Sequence, residues 1–273
     1  MPSPTAILPR EEYVEQSYLF KVLRERMPQT ASQELMEILR HEILASTQLP
    51  KAMEFMATAL KRTGSMAEAM RCMSHYFAPF QTFIVEESER EEGRFDFQMG
   101  LQILEAEAKC RADRMTPPGM FLFQFEAISR NRLRYDVGLK AVSDDPLFDE
   151  KWRKWILLVR RQLGVVDFAE MIYLRSAYFP ILTKRDPQDA ILFGEKEGRI
   201  AFANRRKDPM YLFAALQRHL NYPQVPRPNI VAGEEFSLPQ LVRKIDRLES
   251  RIKFLEEELK GGMDITKYYV KGD

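Results

Sequence analysis

The sequence has few of the residues from which most catalytic and metal sites are built. Among 273 residues it has two cysteines and three histidines, His41, His75 and His219. It contains no glycine-rich nucleotide-binding motif, no G-x-S-x-G and no H-E-x-x-H. A structural zinc ion takes four ligands and a di-iron bundle takes repeated Glu-x-x-His segments, and neither pattern is present. The sequence therefore predicts no metal ion, no cofactor and no catalytic residue.

Two residue pairs come nearest to a ligand set. Glu37 and His41 lie one helical turn apart, and so do Cys72 and His75. Each pair offers two ligands from one helix face, which is fewer than a metal site requires. Structural histidines are therefore favoured over a metal site.

Net charge and long apolar runs are also lacking. The formal net charge is +1, so no overall field attracts nucleic acid or an anionic membrane. Apolar runs such as Trp155–Val159 are far shorter than the roughly eighteen residues that a membrane span requires. Cys72 and Cys110 have no C-x-x-C spacing, which is typical of a reducing compartment. We expect a cytoplasmic protein with no membrane partner.

Helical periodicity is present through most of the chain. Apolar residues recur at spacings of three and four, and short turns containing proline or glycine separate the periodic segments. Capping boxes at Thr30, Ser65 and Asp167 agree with the segments that follow them. The Asp167 box, with Glu170 as its second member, predicts a helix over residues 168–178 that Pro180 ends. The predicted fold class is mainly α: a multi-helix bundle with a small β-hairpin/helix module and a C-terminal coiled-coil helix.

Two segments are also consistent with strands. Aromatic residues alternate at period two over Met120–Phe125, but the following residues continue at helical spacing, so a buried helix is predicted and a strand is the alternative. Residues 190–193 and 199–203 flank a loop with a glycine at each end, Gly194 and Gly198, which predicts a β-hairpin.

The C-terminal segment has the pattern of a coiled coil. Taking Ile245 and Ile252 as a positions puts leucine at every d position, a choice that favours two parallel strands. Lys244 pairs with Glu249 of a second chain in that register, and Arg251 pairs similarly with Glu256. A long amphipathic helix folded back on its own bundle is the alternative. The predicted dimerisation residues are Leu238, Leu241, Ile245, Leu248, Ile252, Leu255 and Leu259.

These patterns divide the chain into six predicted parts. Residues 1–9 are a disordered or extended N-terminus, 10–183 the helical bundle, and 184–222 the hairpin and helix module. Residues 223–235 are a proline-rich linker, 236–262 the coiled-coil helix and 263–273 a tail.

Two groups of residues are candidate binding sites. His75, Tyr76, Phe80 and Phe83 surround a bend at Pro79 and are candidates to line a ligand pocket, although aromatics at this spacing are more often plain core. Arg205, Arg206 and Lys207 follow the predicted hairpin, which is consistent with a winged-helix-like nucleic-acid module over residues 165–207. Glu195 and Glu197 would place negative charge in its wing, which argues against nucleic acid.

The function best supported by the sequence is that of an intracellular helical binding or scaffolding protein. It is expected to form a homodimer, or to bind a helical protein partner, through residues 236–260. A nucleic-acid-binding regulator and an enzyme with a pocket inside the bundle are the two alternatives.

Overall fold

The computed structural model describes residues 7–30, 32–90, 95–186 and 189–227, together with the single positions 245, 249 and 252. Within these residues there are thirteen α-helices and no strand, which confirms the mainly α prediction. The helices are α1 (Arg10–Arg26), α2 (Ser32–Leu39), α3 (Leu49–Thr63), α4 (Met66–Cys72), α5 (Pro79–Glu89), α6 (Phe97–Ala112), α7 (Pro117–Arg130), α8 (Tyr135–Ser143), α9 (Glu150–Gln162), α10 (Phe168–Leu174), α11 (Tyr178–Thr183), α12 (Glu195–Ala203) and α13 (Pro209–Leu220).

The helices enclose one continuous apolar core. Helix α1 lies along α6, α5 packs between α6 and α8, and α2 to α5 contact one another in sequence order. Helix α7 crosses to α13, and α10 packs on α12. Aromatic rings fill the space between α7, α9, α10 and α13. The members of this aromatic group include Phe121, Phe125, Trp152, Trp155, Phe168, Phe193 and Phe213.

Side-chain caps mark several helix starts, in part as predicted. The Ser65 hydroxyl accepts a hydrogen bond from the Glu68 backbone at the start of α4, at 3.3 Å. The Asp167 carboxylate accepts from the Ala169 backbone at 3.1 Å and caps α10. Glu170, the predicted second member of that box, instead forms an ion pair with Arg205 at 3.0 Å.

The segment Met120–Phe125 is helical, as predicted. It lies in the middle of α7, and all ten residues from Gly119 to Ile128 are buried. A helix that is covered on every side needs no polar face, so its sequence has little amphipathic periodicity. The alternating aromatics therefore reflect complete burial, and the strand alternative is wrong.

The predicted single helix over residues 168–178 is wrong in its end point. Helix α10 ends at Leu174, and a separate helix, α11, begins at Tyr178. Pro180 was expected to stop the helix but occupies the third position of α11. The first four backbone N–H groups of a helix have no intrahelical acceptor, so proline is tolerated there.

The predicted β-hairpin at residues 190–203 is also wrong, because residues 195–203 form α12. Gly194 precedes the helix, and Glu195 and Glu197 lie in its first turn, where negative charge is favourable. Phe193 is buried, with its ring centroid 5.1 Å from that of Trp155. The only extended pairing in this segment is an isolated bridge between Ser176 and Phe193. The winged-helix-like module therefore lacks its predicted hairpin.

The predicted coiled-coil helix lies outside the described residues except at three positions. Ile245, Glu249 and Ile252 are each helical. The predicted linker begins within the described part, where Val225 is buried and the Pro226 carbonyl accepts from the Asn131 side chain at 3.3 Å. None of the helices in the described part of the chain has the length and apolar character that a membrane span requires.

Close contact between α12 and the segment before α11 depends on Gly198. A Cβ atom added there would meet the Ser176 side chain, at 2.5 Å from its Cβ, and would lie 2.7 Å from the Tyr178 Cβ. We expect Gly198→Ala to destabilise the protein, because an overpacking cost of about 1–3 kcal/mol exceeds the helix-propensity gain of about 1 kcal/mol. Urea denaturation measures the change.

Gly100 in α6 provides the control for Gly198. An added Cβ there would make ordinary contacts, the nearest being 3.4 Å from the Ser88 Cβ. Gly100→Ala is therefore expected to be neutral or to stabilise by up to about 1 kcal/mol. Equal effects of the two substitutions would contradict the close packing at α12.

Candidate functional site

Helix α11 lies on the outside of the bundle although most of its side chains are apolar. Its sequence is Tyr-Phe-Pro-Ile-Leu-Thr, and none of its six residues is buried. Ile181 and Leu182 are 57% and 44% exposed. Leu174 and Ile191, in the neighbouring segments, are 45% and 47% exposed. We call these four residues the α11 surface.

Backbone hydrogen bonds hold the segments of the α11 surface in place. The Phe193 backbone donates to the Arg175 carbonyl at 3.1 Å, and the Ala177 backbone donates to the Phe193 carbonyl at 2.9 Å. The Tyr173 ring lies 5.5 Å from the Phe179 ring in an edge-on arrangement. Because both sides of α11 are attached to the core, its exposed apolar side chains belong to an ordered surface.

Positive charge lies at one end of the α11 surface. Lys184 follows α11 directly in the left-handed conformation, with φ 53°, and Arg185 is the next residue. Both side chains are exposed, and neither forms an ion pair with another residue in the described ranges. Arg175, by contrast, is paired with Asp189 at 3.3 Å. The exposed Asp186 follows Arg185, so Lys184, Arg185 and Asp186 together carry a net charge of +1.

Two arginines stack on aromatic rings beside α11. The guanidinium of Arg205 lies 3.8 Å from the centre of the Phe202 ring and 5.1 Å from that of Tyr173. Arg199 lies 5.5 Å from the centre of the Tyr178 ring. Preorganised tyrosine and arginine side chains are the residue types that contribute most to protein–protein interfaces. The same residue types lie here beside the exposed side chains of α11.

The three predicted nucleic-acid residues follow one another in the chain after α12. The Arg205 side chain already contacts other residues of the bundle. Arg205 stacks on Phe202 and pairs with Glu170, as described above. The Arg206 backbone donates to the Asp167 carboxylate at 2.6 Å, while the side chains of Arg206 and Lys207 are exposed. The exposed side chains of Arg206 and Lys207 would supply only two cations from this group, which is few for binding a phosphate backbone.

We expect weak binding to generic duplex DNA. Fluorescence anisotropy at about 50 mM and 200 mM salt separates the alternatives, since multiple phosphate contacts make affinity fall steeply with salt. Tight, salt-sensitive binding that Arg206→Ala and Lys207→Ala abolish would contradict this expectation and support a nucleic-acid regulator.

The four predicted pocket residues differ in burial and in contacts. His75 is exposed, whereas Phe80 and Phe83 are buried in the core with ring centroids 6.3 Å apart. The Tyr76 hydroxyl is also buried and donates to the Glu12 carboxylate at 2.7 Å. Burial and this contact with Glu12 raise the pKa of Tyr76 above its usual value, so the hydroxyl stays protonated.

A shallow cleft of about 300 Å³ lies elsewhere, between α4 and α5. The carboxylate of Glu89 accepts hydrogen bonds there from the Ser65 hydroxyl at 2.6 Å and from the Met66 backbone at 2.8 Å. Glu89 thus occupies the exposed N–H groups at the start of α4, which an anionic ligand would otherwise use.

In the described part of the chain, neither residue pair considered as metal ligands gains a third ligand from another helix. Glu37 pairs with Lys61 at 2.6 Å, and both Cys72 and His75 are exposed. Within the described residues no group of three or more histidine, cysteine or carboxylate side chains is placed to hold a metal ion. Burial, with the charge of Glu107 nearby, raises the pKa of the Cys110 thiol to about 12, so this thiol is a poor nucleophile.

A buried polar network that no sequence motif predicts crosses the bundle. Gln81 of α5 donates to Gln16 of α1 at 3.0 Å and to Glu107 of α6 at 2.9 Å. Gln124 of α7 donates to the other Glu107 oxygen at 3.2 Å. Glu107 and all three glutamines are fully buried. The available sequence signal was polar residues at inward positions, such as Gln81 between Phe80 and Phe83.

Arg111 connects this network to the loop before α9. It contacts the carboxylates of Glu107, at 2.7 Å, and of Asp145, and all three side chains are buried. Burial alone lowers the pKa of Arg111, but the Asp145 and Glu107 charges outweigh this effect and hold the pKa well above its usual value. Both carboxylates are thereby committed to a permanently charged partner. The arrangement cross-links α6 to the rest of the bundle and leaves neither carboxylate free as a general acid or base.

Two of the predicted dimerisation residues lie among the described positions. Ile245 and Ile252, one heptad apart, are 52% and 54% exposed. Leu238, Leu241, Leu248, Leu255 and Leu259 lie outside the described residues.

Comparison with protein-family models, with curated proteins and with solved structures finds no match to this chain in any of the three.

Proposed function

We propose that this protein is a helical binding or scaffolding protein that self-associates through a parallel two-stranded coiled coil formed by residues 236–260. The main support for this proposal is that Ile245 and Ile252 are helical and exposed. Their exposed fractions in a single chain are 52% and 54%. Both occupy a positions of the predicted heptads. An apolar a position that its own chain leaves exposed is stabilised by a second helix.

The α11 surface supports a binding role for the bundle itself. Its exposed aliphatic side chains lie beside arginines that stack on aromatic rings, and backbone hydrogen bonds hold its segments in place. Such preorganised surfaces lose little conformational entropy when they bind a partner. A dimer therefore contains two copies of this surface.

The buried carboxylates provide a further argument for binding over catalysis. Glu107 and Asp145 both contact Arg111, and Glu126 contacts Arg130 and the Tyr222 hydroxyl. A general acid or base must reach a reacting proton, and these groups are buried and paired. Their arrangement is suited to a rigid scaffold.

Light scattering of the full chain tests the proposal. At tens of micromolar the expected mass is twice the 32.0 kDa of one chain. A single-chain mass at this concentration would contradict self-association.

A further inference from the structure

We propose that the outward face of the C-terminal heptad helix, centred on Phe254, docks on the α11 surface of the same chain. The inference rests on the proposed coiled coil, because the heptad defines which face points outward. It adds a second contact, between the coiled coil and the bundle, that orients one relative to the other.

Phe254 is the large aromatic side chain that the heptad seam does not use. With Ile252 at position a and Leu255 at position d, Phe254 falls at position c, on the outside of a two-stranded coil. Glu257 and Glu258 follow one turn later, at positions f and g. This face therefore combines one aromatic anchor with negative charge. A phenylalanine at position c does not contribute to the seam. Its burial against another apolar surface would be favourable.

The α11 surface has the complementary arrangement. Ile181 and Leu182 are exposed, and Lys184 and Arg185 follow after Thr183. Asp186 comes next and leaves a net charge of +1 at this edge. In the proposed contact, Phe254 packs on the two aliphatic side chains. Glu257 and Glu258 then lie near the two cations. Opposite charges at the edge of an apolar contact select orientation and partner more than they add affinity.

The chain is long enough to make this contact. The continuous described part ends at Arg227, after Pro226 is held by Asn131. Residues 228–236 span up to about 30 Å when extended, and a helix from Ser237 to Phe254 adds about 27 Å. A domain of this size has a radius of gyration of about 17 Å, so this reach is greater than the straight distance across the bundle.

Carbodiimide coupling of the wild-type full-length protein tests the proposal. The reagent joins lysine to glutamate only when the two side chains touch, and the expected product links Lys184 to Glu257 or Glu258. Peptide mass spectrometry identifies this product. Mixing isotopically labelled and unlabelled protein before coupling distinguishes links within a chain, which are expected, from links between chains.

Matched variants separate the docking contact from the coiled coil. Phe254→Ser and the double variant Ile181→Ser with Leu182→Ser are each expected to reduce the coupled product about tenfold or more while leaving the dimer mass unchanged. Phe55→Ser is the control, since Phe55 on α3 is also exposed, at 47%, but lies on another helix. It is expected to leave the coupled product unchanged.

The outcomes distinguish this inference from the proposed function. A dimer without the Lys184 product, or with a product that Phe254→Ser leaves unchanged, overturns the docking and leaves self-association intact. A product found only between labelled and unlabelled chains overturns the same-chain assignment, because a second copy then occupies the α11 surface. A single-chain mass that retains the product supports docking and contradicts the coiled-coil dimer.

Discussion

Replacing Arg111 by methionine is expected to lower the free energy of unfolding by about 3–5 kcal/mol. The substitution keeps most of the side-chain volume but leaves Glu107 and Asp145 buried without their shared cation. Their negative charge cannot be solvated in the core, so it must be neutralised by proton uptake or reached by water, and either costs free energy. Urea denaturation followed by circular dichroism measures the loss.

Arg160→Met provides the comparison for Arg111→Met. Arg160 contacts Asp136 through two hydrogen bonds at 2.6 and 2.7 Å, but the Asp136 side chain is 74% exposed. Water can replace the arginine there, so the stability change is expected to be several-fold smaller than at Arg111. Similar losses for the two variants would show that the buried network does not contribute more than a surface pair.

Ile252→Lys is expected to convert the dimer into single chains without unfolding the bundle. The substitution places one charge per chain in the middle of a seam of about three heptads, which is too short to compensate. Ile252 is 54% exposed in one chain, so the bundle itself does not depend on its burial. Light scattering measures the mass, and circular dichroism checks that helicity is retained.

Asp246→Lys is the matched control, because it introduces the same side chain at position b, outside the seam. It is expected to leave the dimer intact. A dimer that survives Ile252→Lys would show that another surface joins the protomers. A wild type that is monomeric and that Ile252→Lys unfolds would instead establish the folded-back helix.

Local sequence patterns anticipated the helical architecture well. The caps at Ser65 and Asp167 each depend on residues within a few positions of one another. Such interactions can be predicted from the sequence because both partners lie within one helical turn. The heptad pattern is local in the same sense, and the dimer that it predicts is tested by light scattering.

The wrong predictions concern segments whose conformation depends on distant contacts. Apolar and glycine-bearing residues at 190–203 are compatible with a hairpin, yet burial of Phe193 against Trp155 and the close approach at Gly198 favour α12. The pocket prediction used spacing along the chain and stays a prediction. It did not anticipate that the Tyr76 hydroxyl donates to Glu12, 64 positions earlier in the sequence.

The sequence alone determined the mainly helical class and several helix starts, because these follow from periodicity and from caps over one or two turns. The heptad seam stays a prediction. Only the tertiary structure decided that Glu107, Arg111 and Asp145 meet in the core, since two of these lie 34 positions apart. It also decided that α11 remains exposed, because exposure depends on which surfaces the other helices cover. The composition of α11 alone would have predicted burial.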